Sequence, residues 1–484
     1  SAGARLILVF PTSDDLATNG NCTLREAVQA AQSNLPVDAC SPGSPTDVDV
    51  VQLAWGLYTV SLGEISIGIG EVILRGAATP PRTVVRATSP SRLFFLQQGA
   101  SVSFEVMDLE LGDVRNAGQR GGGAIRSEGA SLALNDVTLR SNKAVEGGAL
   151  YVSATNDEVI SIVDSRFELN RAEFADVGGA SGGGACFQLD GMAQVSIRDT
   201  VLVQNVAWTM VAGASVSGGA VHAALSGSAK LDLERVHFQS NAARAGSSDA
   251  QAYAAGMIVL ASDESHFSLF DSSFVGNSID IGGAFSISTL YLQGDIAADL
   301  QLERVRMVWN DEDQAGRGVL IGMFQASRLR AIDLVVADGP TTAIAAFAQE
   351  TSRLDLGHLT VTGHAATGLS LFATEDAHLA LENSIVWNNG NEIAASGPVE
   401  TGPTNLVGVD PDFVDAASRN FELLPGSLAI DHGDRTLSSV GRYDVAHAPR
   451  VSGGETDAGA YEFGAIFGDG FASADTGAWS AAVQ

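Results

Sequence analysis

Nine polar residues recur at one position of a repeated phrase: Asp136, Asp164, Asp199, Arg235, Asp271, Arg304, Asp333, His358 and Asn383. From Arg235 to His358 the charge alternates in sign, which suits an ion ladder between stacked strands on a half-exposed corner. A functional reading adds Glu234, His237, Glu303 and Arg306 as an acid–base patch, because neighbouring imidazoles and carboxylates are the usual equipment of proton transfer. The successive aspartates Asp136, Asp164 and Asp199 repel one another unless they are solvated, protonated or bridged by a cation. Ca2+ would suit such oxygen ligands, although side chains stacked in a row rarely enclose an ion. No other cofactor is implied.

The phrase that carries this column reads apolar-x-apolar-x-polar, then an apolar residue three positions on, then usually Asn three further. Leu132, Leu134, Asp136, Leu139 and Asn142 form its first clear copy, and it restarts at Ile160, Val195, Leu231, Phe267, Leu300, Leu329, Leu354 and Leu379. A weaker copy begins at Val102 and ends on Gly112. The intervals from 132 onward are 28, 35, 36, 36, 33, 29, 25 and 25 residues, which is the scale of a solenoid. Period-two apolar spacing makes the units strands. Glycine pairs open a second strand between phrases, as at Gly122-Gly123-Ala124-Ile125, Gly147-Gly148-Ala149-Leu150 and Gly218-Gly219-Ala220-Val221. Two strands and three turns per repeat predict an all-β right-handed parallel β-helix. The Asn column, comprising Asn142, Asn170, Asn205, Asn241, Asn277, Asn310 and Asn389, is expected at a left-handed turn with its amides bonded along the axis.

Three inward apolar residues per phrase bury roughly 5–9 kcal/mol, whereas ordering some thirty residues costs about 1–2 kcal/mol each. One repeat therefore cannot fold alone, and both ends of the stack need covers. Thr23 and Glu26 form a capping box before Leu24, Val28, Ala31 and Leu35, which fall on one helical face and predict a lid. Cys22 and Cys40 flank a turn-rich segment and are expected to be bridged, pinning that lid. The predicted organisation is an N-terminal strand and capping helix over residues 1–50, a β-helix over 51–409 and a C-terminal cap over 410–463. A tail over 464–484 follows, in which Ile466, Phe467, Phe471 and Trp479 could pack back on the chain or dock on a neighbour.

The chain has 484 residues, with 27 Lys plus Arg against 57 Asp plus Glu and a formal charge of −30. Such a balance repels phosphate backbones and argues against nucleic acid as a partner. No stretch has the length of a membrane-spanning helix. The opening Ser1-Ala2-Gly3, without Met, reads as an already processed start.

These motifs carry a family resemblance. The Gly-Gly-Ala strand with Phe167-Glu168-Leu169-Asn170, Phe238-Gln239-Ser240-Asn241 and Phe274-Val275-Gly276-Asn277 resembles the repeats of polymorphic outer-membrane proteins and related secreted bacterial β-helices. Cys22-Thr23-Leu24-Arg25-Glu26-Ala27 is similar to the CSLREA motif of such proteins. The stretch containing Asp410-Pro411-Asp412-Phe413, Pro425-Gly426-Ser427 and Asp457-Ala458-Gly459-Ala460-Tyr461-Glu462 resembles the choice-of-anchor Q module. The resemblance implies secretion or cell-surface location in a bacterium and says little about activity.

Secreted β-helices include polysaccharide lyases and hydrolases, so catalysis has to be weighed. Only Lys143 and Lys230 supply lysine, and the paired-aspartate and Gly-His-Gly signatures of pectin hydrolases are absent. His358 and His364 have no carboxylate pair near them in sequence, and Cys186 reads as a buried small hydrophobe. Insertions grow over 171–182, 206–217 and 242–254, where Trp208 and Tyr253 are the candidate sugar-stacking platforms. The expectation is a non-catalytic structural or adhesive protein of the cell surface or an extracellular assembly, including a head-to-tail filament joined through its ends or tail. Its partners would be itself, an envelope component or a polysaccharide. The alternative is a polysaccharide lyase or hydrolase working along the solenoid's flank, and the second alternative is carbohydrate binding without turnover.

Overall fold

The repeated phrases stack in unbroken register. Leu132 pairs with Ile160, Ile160 with Val195, and so on through Leu231, Phe267, Leu300, Leu329, Leu354 and Leu379. The weak copy at Val102 sits in the same row, against Leu132. The computed structural model describes residues 4–464 apart from 12, 117–120, 175–178, 248, 282–284, 287, 309 and 311–316. The tail residues Ile466, Phe467, Phe471 and Trp479 lie outside the described residues.

The chain is a right-handed parallel β-helix. Among the described residues, phrases such as Ser131–Arg140, Lys230–Gln239 and Asp299–Val308 build one long sheet of 21 strands. The glycine-led strands, such as Leu150–Ala154, Val221–Leu225 and Leu290–Gly294, build a second sheet of 12. Inward residues of both sheets merge into one core running from Ile7 to Val386. At the corner before the second sheet Gly122, Gly147, Gly182 and Gly218 have φ between 58 and 65°. A Cβ at Gly147 would collide with the Leu150 carbonyl, which is why glycine recurs there.

Each phrase bends in its middle, in some coils splitting into two short strands such as Val159–Val163 and Arg166–Glu168, and the polar column is the bend. Asp136, Asp164, Asp199, Arg235, Asp271, Arg304, Asp333, His358 and Asn383 all have φ between 50 and 57°. Asp and Asn tolerate that left-handed backbone, whereas Arg bears its strain against the pairing described below.

The Asn ladder forms, but its predicted backbone differs. Left-handed φ falls on the preceding residue (Ser141, Leu169, Gln204, Ser240 and Gly276) and not on the Asn itself. That residue makes the turn, which frees the Asn side chain to point inward. Each amide from Asn142 to Asn277 donates to the Oδ1 of the next Asn at 3.0–3.1 Å. Each also donates to a carbonyl of the preceding coil, as Asn205 does to Phe167 at 2.9 Å. Asn389 stands apart from this run and serves His364, whose backbone N–H donates to it at 3.1 Å.

The described parts of the insertions contribute strands of their own. Arg171–Phe174, Val206–Thr209 and Ala242–Ala245 belong to an added sheet of five, while Ser215–Ser217 and Gln251–Tyr253 belong to one of four. Between them lies a core of small residues, including Ala172, Ala207, Val216, Ala243 and Ala252, because the two sheets approach closely.

At the N-terminal end α1 (Leu24–Ser33) has the full Thr23–Glu26 capping box and buries Leu24, Val28 and Ala31. Leu35 does not join that face. Asn34 ends the helix in a left-handed conformation, and Leu35 is left 63% exposed. Cys22 and Cys40 are bridged, with their Cα atoms 4.8 Å apart.

Residues 410–463 add no further rung to the described stack. The last rung is Leu406–Val407. Beyond it an antiparallel hairpin, Phe413–Asp415 with Asn420–Leu423, leads into a segment that turns back over the flank of the long sheet. Val445, Ala458, Ala460 and Tyr461 pack there on Val308, Val335 and Ile385, forming a second apolar core outside the helix.

Candidate functional site on the flank

The bend column resolves into ion pairs between coils. Arg235 reaches back to Asp199, with Nε–Oδ1 at 2.6 Å and Nη2–Oδ2 at 2.9 Å, and holds that carboxyl below the usual range. Arg304 repeats the contact to Asp271 at 2.5 and 3.2 Å. Asp136 is paired with Arg82 at 3.0 Å, and Asp164 is exposed. Two of the three aspartates weighed as Ca2+ ligands thus face arginine, and among the described residues no cluster of three metal-ligating side chains occurs.

Asp333 breaks the pattern. Its partner is Arg450 of the cap, 117 residues away, and both are buried. Arg450 also donates to the carbonyls of Gly459 and Ala460 at 3.1 and 3.0 Å. Burial drives Asp333 up to about 6 in spite of that partner, and drives His358 well below its ordinary range, with the charge of Arg450 adding to the effect. This part of the column locks the cap onto the flank and is shut off from solvent.

Just before the cap the flank opens into a groove of about 370 Å³, lined by His237, Asp271, Ser273, Arg304, Arg306 and His447. Its floor is one row of the long sheet, His237–Ser273–Arg306, in register across three coils. Coils repeat about every 4.8 Å, so His237 and Arg306 stand roughly 10 Å apart at their backbones with the short Ser273 between them. Ser273 leaves a notch, and His237 leans into it, its Nδ1 2.9 Å from the Ser273 Oγ. Asp271 is shared by Arg304 and by His447, whose Nε2 lies 3.3 Å from it. Among the described residues Arg306 makes no ion pair, and it lines the groove.

The acid–base patch read from the sequence is therefore divided. His237 and Arg306 meet in the groove, whereas Glu234 and Glu303 bind Arg235 and Arg304 across the bend. Ser273 and His447 were missed. Ser273 lies inside a recognised phrase but carries no chemical signal of its own, and nothing in the sequence around His447 places it beside Asp271.

The remaining candidates do not assemble. Trp208 lies under the Arg171 guanidinium at 4.1 Å, on the outer side of the five-stranded sheet. Tyr253 lies on the four-stranded sheet, bonded to Gln251, so the two rings form no common platform. Cys186 is buried, and burial pushes its thiol up to about 12, as an inert core residue requires. His222 is held by Ser217 at 2.9 Å and lowered to about 4 by burial.

No protein-family model and no curated protein matches the sequence. Among solved structures the chain is similar to the periplasmic alginate epimerase AlgG, at 10% identity and TM-score 0.35 over 72% of this chain and 83% of that one. It is similar to a pectate lyase at 12% identity and TM-score 0.28, over 96% and 97% of the two chains. It is also similar to the catalytic domain of an α-1,3-glucanase in complex with tetrasaccharides, at 11% identity and TM-score 0.32 over 74% and 64%. These neighbours are carbohydrate-active proteins, and the expectation of a non-catalytic structural or adhesive role is withdrawn on that finding. Likeness at this level assigns no activity to the flank. No helix among the described residues is long and apolar enough to cross a membrane.

Proposed function

We propose that this protein acts on an acidic polysaccharide at the flank groove, as a lyase. The observation that carries the reading is the row His237–Ser273–Arg306: a base and a cation that has no ion pair among the described residues, either side of a notch. Arg306 would neutralise a uronate carboxylate, which acidifies the adjacent C5–H bond. His237 would take that proton; the C4–O bond then breaks, a C4=C5 double bond forms, and the leaving oxygen takes a proton from water. Hydrolysis is the poorer fit, because it needs two carboxyl groups facing the substrate. Here Asp271 is held by Arg304 and His447, and Glu303 by Arg304. A net charge of −30 makes a local cationic site the more necessary for an anionic polymer. Export from the cell goes with such a substrate, and the Cys22–Cys40 bridge suits an oxidising compartment.

The test is incubation with a panel of polyuronates while following unsaturated chain ends by absorbance. Turnover that disappears in His237→Ala and Arg306→Ala supports the reading. Binding without new unsaturated ends would replace it with carbohydrate recognition alone.

A further inference from the structure

The groove is open at one end and walled at the other. Its floor row continues from Thr138 and Arg166 through Val201 to His237, Ser273 and Arg306, and then to Val335, Thr360 and Ile385. Towards the N-terminal coils the row is accessible: His237 is exposed, and Arg166 and Val201 are half-buried. Past Arg306 it is sealed, with Val335, Thr360 and Ile385 no more than 1% exposed beneath the cap. The neighbouring row changes at the same coil. Gln239 is exposed and Val275 half-buried, whereas Val308 and Ala337 are buried. Val445 and His447 form the face of the wall, and the contact of His447 with Asp271 fixes its edge. Among the described residues no hydrogen bond or ion pair of the cap reaches a coil before that of Asp271.

Resting on the lyase reading, we infer that the site works on chain ends: an acidic polysaccharide lies along the open row and its terminal uronate stops against the cap. The reactive notch at Ser273 lies directly before the wall. The coil rise of about 4.8 Å is of the order of one pyranose ring, so little room remains between the notch and the wall for further sugar. A polymer cannot thread past Arg306, because the continuing row is occupied by the packed side chains of Tyr461, Ala460 and Val445. Internal sites of a long chain are thereby excluded from the notch. The same proton transfer and elimination then occur on the reducing-terminal uronate, whose C4–O bond joins it to the rest of the chain, so that the shortened polymer leaves with the C4 oxygen and takes its proton from water.

Two measurements on the full chain decide this. In the first, early products from a long polyuronate are separated by size while viscosity is followed. One short product accumulating while viscosity falls slowly supports end action. A ladder of all sizes from the outset overturns it and leaves the lyase reading standing. In the second, His237→Ala, which removes an exposed side chain and keeps the fold, is titrated with polyuronates of several lengths. A fixed ratio of one protein per polymer chain, whatever its length, supports the wall. A ratio that grows with length overturns it. Absence of binding to every uronate tested overturns the inference together with the reading beneath it.

Discussion

Asn170 donates its side-chain amide to the Oδ1 of Asn205 in the next coil at 3.0 Å, and Asn205 repeats the bond to Asn241 at the same distance. The Asn205 oxygen also accepts the Asn170 backbone N–H, and its nitrogen donates to the Phe167 carbonyl. Every polar atom of a fully buried amide is thereby used. Replacing Asn205 by Ala strands those partners, and each unsatisfied buried group costs about 1–3 kcal/mol. We expect Asn205→Ala to lower stability by about 3 kcal/mol or more in urea unfolding. Substitution of an exposed neighbour such as Gln204→Ser should change little.

Arg450 and Asp333 join the cap to the flank out of reach of water. Removing one member of a buried pair costs about 3–5 kcal/mol, mostly from the charge left behind. Arg450→Ala should therefore release residues 410–463 to limited proteolysis while the coils stay protected. The double variant Arg450→Met with Asp333→Leu should recover much of the loss. Equal sensitivity in the single and double variants would contradict the assignment.

His364 occupies a turn where other coils place Asn, donating its backbone N–H to Asn389 with its Nδ1 3.2 Å from the Thr341 carbonyl. Burial lowers it from its ordinary value to about 4. The unfolded chain then binds a proton more readily than the folded one, so stability is lost as pH falls from about 6.5 towards 4. We expect His364→Asn to reduce this acid sensitivity in thermal melts recorded across that range. Half-buried His222 and buried His358 shift in the same direction and should leave a residual slope.

The notch at Ser273 gives a prediction about the site. Its outward side chain is small and half-buried, so Ser273→Leu fills the space between His237 and Arg306 without disturbing the core. Uronate turnover should fall by about 10²-fold or more, comparable with loss of the proton acceptor itself. Melting should be unchanged.

Much of this molecule follows from the chain read in one dimension. The phrase fixes the strands because alternation of apolar residues has period two, and the nine starts from Leu132 to Leu379 fall in one row because any slip would turn each strand's apolar set outward. The helix at Thr23, the disulfide and the amide ladder are legible for the same reason: each is a local pattern or a repeat of one. What the pattern does not hold is the path of a segment with no period. Residues 410–463 turn back over the flank because Val308, Val335 and Ile385 face outward and need cover, a demand visible only once the strands are stacked. That return brings Arg450 to Asp333 and His447 to Asp271, contacts across 117 and 176 residues. The same return closes one end of the groove. Repetition determined the scaffold; packing of the non-repeating segment 410–463 decided where chemistry has room, since burial there depends on neighbours distant in sequence.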